Sequence, residues 1–256
     1  MPFTLAHPAA ILPLRHVPHL RTAPLIIGAM APDLPSYAPT RYTGYLVHES
    51  HRLRGSWSVD LAMGFALLVF VFVLRRPLTV LLPARSRGLC LRALAPYAQH
   101  PLEWLLAPVA ILIGVWTHLL WDSFTHSDDW MVRRIEVLSR VVTIGPYTGE
   151  LCHVLQYVSS VVGVVIVAVW YWRLRALPAP PPNPSAAHTP AAPLLLLAAA
   201  AAILIGGVQG IETYSATEAI YRTLNVLLTH TIAWFAVLYL VAGTVIALSH
   251  DAAESG

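Results

Sequence analysis

The segment Gly114-Val-Trp-Thr-His118-Leu-Leu-Trp-Asp122-Ser-Phe-Thr-His126 carries the strongest chemical signal in the chain. His118, Asp122 and His126 recur at i, i+4 and i+8. On a helix each four-residue step advances about 40° past a full turn, so all three stay on one side. Imidazole together with carboxylate suits zinc or another divalent transition metal. A lone His-x-x-x-Asp is as well explained by helix-end residues that snorkel to water or make capping bonds. The longer pattern, at the end of an apolar run, points to a metal or catalytic role, because ionisable groups are costly at membrane depth.

Three further stretches carry chemistry of the same kind. In Gly28-Ala-Met-Ala-Pro-Asp33-Leu-Pro, prolines on both sides restrict the backbone and present Asp33 rigidly, although the same residues also fit an ordinary Asp turn. His7 precedes Pro8 on a short helix expected to start at Thr4. His48 and His51 stand at i, i+3 just before the first long apolar run, and Asp60 falls about one turn inside it. Asp60 is either a functional carboxylate or a first-turn Asp favoured by the helix dipole. Glu150 and His153 are likewise i, i+3, followed by Gln156, Ser159 and Ser160 at membrane depth, where small hydroxyls often only bond between helices. Glu212 and His230 are outer candidates.

These residues have to be positioned by membrane helices. Of the 256 residues, 57% are hydrophobic and only 11% are charged, against about 25% charged in an ordinary soluble domain. That excludes disorder, a coiled coil and most soluble enzymes. All 16 basic residues are arginine. A net charge of +3 and no basic–aromatic run give no footprint for nucleic acid. Cys90 and Cys152 form no Cys-x-x-Cys, so neither a disulfide framework nor a thiolate zinc site is expected.

The expected fold is all-α: a polytopic membrane helical bundle with about five transmembrane helices. The runs at Ser58–Leu74, Leu102–Trp121, Val154–Trp172, Pro193–Gly210 and Leu224–Leu248 approach or exceed the ~20 residues that a bilayer core requires. Residues 1–57 form a short helical region packed at the interface, not a secretory signal. Residues 58–172 hold a three-span core, residues 173–192 a Pro-rich linker, and residues 193–248 two C-terminal spans, all within one integral-membrane domain. Counting spans puts His7, Asp33, His51, Asp122, His126, Glu150 and His153 on one face, as in bundle metal sites. The arginines directly flanking the first and third spans (Arg75, Arg76, Arg173, Arg175) lie opposite, so the positive-inside rule turns the site face away from the cytoplasm.

With these residues laid out, the chain resembles a bacterial membrane family catalogued as domain of unknown function 4184. The matching pieces are MPFTLAHPAAILPLR, IIGAMAPDLP, HRLRGSW, GVWTHLLWDSFTH and LQYVSSVVG, in order from Pro2 to about Gly163. The family is distantly similar to inner-membrane proteins described as metal-dependent hydrolases. That resemblance implies metal ligation by some of His7, Asp33, His51, His118 and Asp122. The relatives often carry Pro-Asp-x-Asp where this chain has Pro32-Asp33-Leu34-Pro35, which argues against a two-metal site.

The expected function is a metal-dependent hydrolase at the membrane interface. A divalent ion, zinc by ligand type, would be held by His7, Asp33, His51, His118, Asp122 and His126, and would acidify a bound water. Glu150 or Asp60 would serve as general base. The partners are the lipid bilayer and a lipid or phosphoester substrate. The alternatives are a non-catalytic metal or ligand binder, a subunit of an envelope complex, and, less well supported, a transporter. A transporter would gather polar groups at the midplane, whereas here they gather at one end.

Overall fold

The computed structural model describes residues 3–37, 41–145, 147–176, 191–212 and 220–254. In chain order the main elements are α1 (Thr22–Met30), α2 (Thr43–Ser50), α3 (Leu61–Val73), α4 (Ala84–Gln99), α5 (Leu102–Asp122), β1 (Val141–Ile144), β2 (Tyr147–Glu150), α6 (Leu151–Ala176), α7 (Ala191–Glu212) and α8 (Ile220–Glu254). Short helical turns join several of them. The fold is an all-α membrane bundle. Leu53–Val73, Leu102–Asp122, Leu151–Ala176 and Leu227–Ser249 are long and apolar enough to cross a bilayer, and Pro193–Val208 is a shorter apolar helix. Of the expected linker at 173–192, residues 173–176 end α6 and residues 191–192 begin α7, and residues 177–190 lie outside the described residues.

Two features depart from the sequence expectation. Residues 75–101, which only connect the first two expected spans, form a short helix at Arg75–Val80 and then α4. Ala, Leu and Arg are strong helix formers, and a helix need not be long or uniformly apolar to form. Within the 122–153 connection, β1 and β2 pair antiparallel, with Val141 opposite Glu150 and Ile144 opposite Tyr147. The β-branched run Val141-Val142-Thr143-Ile144 favours a strand, and Gly145 takes the positive φ (59°) that the turn needs.

The chain forms two compact units. The first comprises Met1–Pro35, Arg41–Val69 and Ala93–Leu177, and holds every residue named above as a metal ligand or base. Its centre is the crossing of α1 and α5. A Cβ added at Gly28 would lie 2.1 Å from the Ile111 carbonyl oxygen, and one at Gly114 would lie 2.3 Å from that of Leu25. Only glycine lets the two backbones approach so closely, as small residues do in membrane helix pairs. Ile11, Leu12, Leu25, Ala29 and Ala110 form one apolar layer beside the crossing, and Ala31, Ile111 and Val115 form another. The N-terminal turn Thr4–Ala6 is held on α6: the Phe3 amide donates to Ser160 Oγ at 3.0 Å, and a Cβ at Gly163 would meet that of Ala6 at 2.8 Å. In the second unit α7 and α8 pack together, with Gly206 against Thr231, and Tyr239 Oη donates to the Leu78 carbonyl at 2.9 Å.

Candidate metal centre

His118 lies on the last full turn of α5 and is completely buried. Its Nδ1 is 2.8 Å from the carbonyl oxygen of Ala29, which the α1–α5 crossing brings alongside. A carbonyl only accepts, so Nδ1 carries the hydrogen, and in the neutral ring Nε2 is left as the lone pair. Nε2 faces Asp122 Oδ2 at 3.3 Å and Asp33 Oδ1 at 3.7 Å. Fixing one imidazole nitrogen by a backbone carbonyl so that the other can ligate is the usual outer-shell device of metal sites.

His51 repeats the arrangement from another element. It closes α2, and its Nδ1 is 2.8 Å from the Val47 carbonyl oxygen. In the neutral ring its Nε2 is therefore also the free nitrogen, 3.5 Å from Asp33 Oδ1 and 3.6 Å from Asp122 Oδ2. Ser50 Oγ donates to the Pro32 carbonyl at 2.8 Å and so ties the end of α2 to the Asp33 turn. His7 enters from the N-terminal turn. Its ring stacks on that of His118 with centroids 3.7 Å apart, and its Nε2 is 3.6 Å from Asp122 Oδ1.

These atoms share one anomaly. His7 Nδ1 and Nε2, His51 Nε2, His118 Nε2 and both carboxylate oxygens of Asp33 and Asp122 are buried without a hydrogen-bond partner. Buried polar groups are normally paired, and an orphan calls for an ion or water. The spacing discriminates further. A charge-assisted N–H···O bond runs to about 2.7–2.9 Å, shorter than any of the 3.3–3.7 Å separations here. Two donors each ~2.0–2.2 Å from a tetrahedral zinc stand roughly 3.3–3.6 Å apart. The donor set thus fits a cation at its centre better than it fits direct pairing.

Two trios have donor atoms within 4.8 Å of one another: His7, Asp33 and His118, and His51, His118 and Asp122. They share His118, whose single bare nitrogen can serve one ion. The arrangement therefore suits one ion held through His118, with its other donors drawn from the two trios. Burial and mutual charge act in different directions on the groups outside the spans. Burial pushes His7 down to about 3, so its ring stays neutral. Burial opposes ionisation of Asp33, but the facing His118, His51 and His7 outweigh it and hold the carboxyl below its usual range. Burial also opposes the charge on His51, and Asp33 and Asp122 outweigh it and raise that ring above its ordinary value.

Three expected site residues stand apart from this group. The Nδ1 of His126 faces its own i−4 carbonyl, that of Asp122, at 3.1 Å and stays 3.9 Å from Asp122 Oδ2, so the ring sits at the rim. Glu150 ends β2 and accepts from Cys152 Sγ at 3.3 Å, and bonds from Ser127 and Cys152 hold its carboxyl below the usual range. It belongs to a separate trio with Cys152 and His153, whose Nε2 is already bonded to Ser127 Oγ at 3.2 Å. Asp60 is fully buried on the π-helical turn Ser56–Asp60, with both oxygens unpartnered. It lies within electrostatic reach of His51 and His118 but in neither trio. The α6 hydroxyls are structural: Ser159 Oγ accepts from Trp121 Nε1 at 3.1 Å, and Ser160 Oγ from Phe3.

Sequence reasoning missed Asp129. A cleft of about 390 Å3 reaches the centre at His51 and Asp122, and Asp129 lines it. Asp129 is 4.0 Å from His126 Nδ1, and burial pushes its carboxyl above the ordinary value. The signal was the adjacent Asp128-Asp129 pair just beyond His126 and Ser127, which reads as loop until the chain folds back.

The model of one family, described as domain of unknown function (DUF4184), matches residues 1–248. No curated protein and no solved structure matches the chain.

Proposed function

The chain belongs to the family described as domain of unknown function DUF4184, and from its own centre we propose that it is a membrane-embedded, metal-dependent hydrolase. The observation that carries the reading is the set of orphaned lone pairs from His7, His51, His118, Asp33 and Asp122, converging with the spacing of ligands around one ion. Nitrogen and carboxylate donors without thiolate suit zinc. A divalent ion held by these residues would supply Lewis acidity, making water a stronger nucleophile at neutral pH.

The chain's own residues supply the rest. The Ala29 and Val47 carbonyls fix the His118 and His51 tautomers. The α1–α5 crossing buries the centre on every side but that of His51, whose side chain is 22% exposed. Asp129, on the cleft wall, is the carboxylate best placed to take the proton of the attacking water. Water adds to an ester carbon or phosphorus, the bond to the leaving oxygen breaks, and the proton held by Asp129 passes to that oxygen. Asp60 is buried away from the cleft, and Glu150 is engaged elsewhere, so neither fits this role as well as Asp129 does.

We place the protein in the cell membrane with the centre on the non-cytoplasmic side, because Arg75, Arg76, Arg173 and Arg175 flank the opposite ends of two spans. The functional test uses the purified full chain and p-nitrophenyl ester and phosphodiester substrates. Zinc-replete protein turns over one class, a chelator stops it, and added zinc restores it. Turnover that survives chelation contradicts the proposal.

A further inference from the structure

The walls of the cleft say what kind of molecule reaches the centre. Beyond His51, Asp122 and Asp129 they consist of Leu53, Trp116, Leu119, Leu120 and Trp130. Leu53 opens one candidate span, and Trp116, Leu119 and Leu120 lie on the last turns of another. Leu53, Trp116, Leu120 and Trp130 are exposed. An outward-facing residue on a spanning segment faces lipid rather than water, so the apolar side of the cleft opens toward the bilayer.

The mouth is also built to sit at one depth. Trp116 packs edge-on against Trp57, with centroids 5.4 Å apart, and its Nε1 donates to Ser56 Oγ at 3.1 Å. The Arg134 guanidinium lies over the Trp130 ring at 5.9 Å. Exposed tryptophans with a neighbouring arginine mark the headgroup level of a bilayer. The inner end of the cleft is polar and acidic, while its wall beside α5 is hydrocarbon. A small water-soluble substrate gains nothing from such a wall.

We infer that the substrate is an amphiphile drawn laterally from the bilayer, its hydrocarbon chain lying against Trp116 and Leu120 and its hydrolysable polar head at His51 and Asp122. The inference rests on the metal reading above and names the substrate class of the same centre.

The test separates the two. Alkyl hydroxamic acids carry a zinc-chelating head on a tail of chosen length. Acetohydroxamic, butyrohydroxamic, hexanohydroxamic and octanohydroxamic acids are titrated calorimetrically into the zinc-loaded full chain in nanodiscs. Parallel titrations use Leu120→Trp, which fills the wall without touching a ligand. Affinity should rise with tail length by up to about fourfold per methylene, the value for full burial of a CH2 group. Leu120→Trp should keep its zinc and its acetohydroxamate affinity and lose most of the rise. If zinc is retained and acetohydroxamate binds, but affinity is independent of tail length or rises equally in Leu120→Trp, lateral access is overturned and the metal reading stands. If no zinc is retained and no hydroxamate binds, both are overturned.

Discussion

His118 Nε2 faces Asp122 Oδ2 across 3.3 Å, and the Ala29 carbonyl on the far side of the ring holds that nitrogen bare. On the proposed reading, a lone pair and a carboxylate pointed at each other in a buried site hold a metal ion between them. Replacing His118 with Ala should therefore abolish stoichiometric zinc while the helical content of the protein stays near wild type. His118→Gln should weaken zinc by at least the ~10–100-fold that outer-shell changes cost. Competition with a chromophoric chelator reads the affinity, and circular dichroism reads the fold.

Zinc should also stabilise the folded chain. Removing it leaves Asp33 and Asp122 facing bare imidazoles, so a chelator lowers the thermal midpoint and added zinc restores it in a concentration-dependent way. At a free concentration 100 times the Kd the gain is about 2.7 kcal/mol. Thermal unfolding in detergent at several zinc activities measures this, and a midpoint that does not respond to zinc would count against a bound ion.

Acid should release the ion, and His51 should be one of the groups that set where. His7 is held down to about 3 by burial and does not compete for protons near neutrality. His51 works against burial, but Asp33 and Asp122 raise it above its ordinary value. Protons therefore begin to displace zinc from His51 above the usual imidazole range, and each further pH unit downward costs up to about tenfold in affinity per proton taken up. Zinc affinity measured from pH 8 to pH 5 should fall throughout, and His51→Ala should bind more weakly but with a shallower fall.

Asp129 and His126 should separate binding from turnover. Asp129→Asn should leave zinc content unchanged and lower kcat by roughly 10²–10⁴-fold, the range for loss of a general base. His126→Ala should also keep its zinc, because that ring stands outside both trios. Metal analysis alongside steady-state kinetics on the same preparations distinguishes the two effects.

The α1–α5 crossing should be intolerant of any side chain. Gly28→Ala puts a Cβ against the Ile111 carbonyl, and Gly114→Ala puts one against that of Leu25. Because backbone rather than a flexible side chain must give way, each should destabilise by at least the ~1–3 kcal/mol typical of overpacking. Each should also loosen the His118–Ala29 bond and with it zinc affinity. The thermal midpoint of the apoprotein and the zinc affinity of each variant check both effects.

The parts legible in the sequence were those governed by local spacing and hydropathy. Four of the five expected spans and the helical class followed from apolar run length, the fifth run forming a shorter apolar helix, and the approach of His118 to Asp122 followed from i, i+4 geometry on one helix. His7, Asp33 and His51 could be proposed because each is an ionisable group beside an apolar stretch. What spacing could not supply was tertiary approach. Nothing local links Ala29 to His118, Ser50 to Pro32, or Gly28 to the Ile111 carbonyl. Glu150 shows the opposite limit, since lying toward the same end of the bundle did not put it in the same site. The hairpin at 141–150 was hidden because its strands are only four residues each and depend on one glycine turn.

The most direct measurement of the central claim is elemental analysis of the full-length chain, purified in detergent, equilibrated with zinc and freed of excess, combined with zinc X-ray absorption. The account predicts one ion per chain, with a nitrogen and oxygen shell at ~2.0–2.2 Å and no sulfur, and loss of that ion in His118→Ala. Zinc at background level in the folded wild-type protein, or equal zinc in His118→Ala, would contradict it.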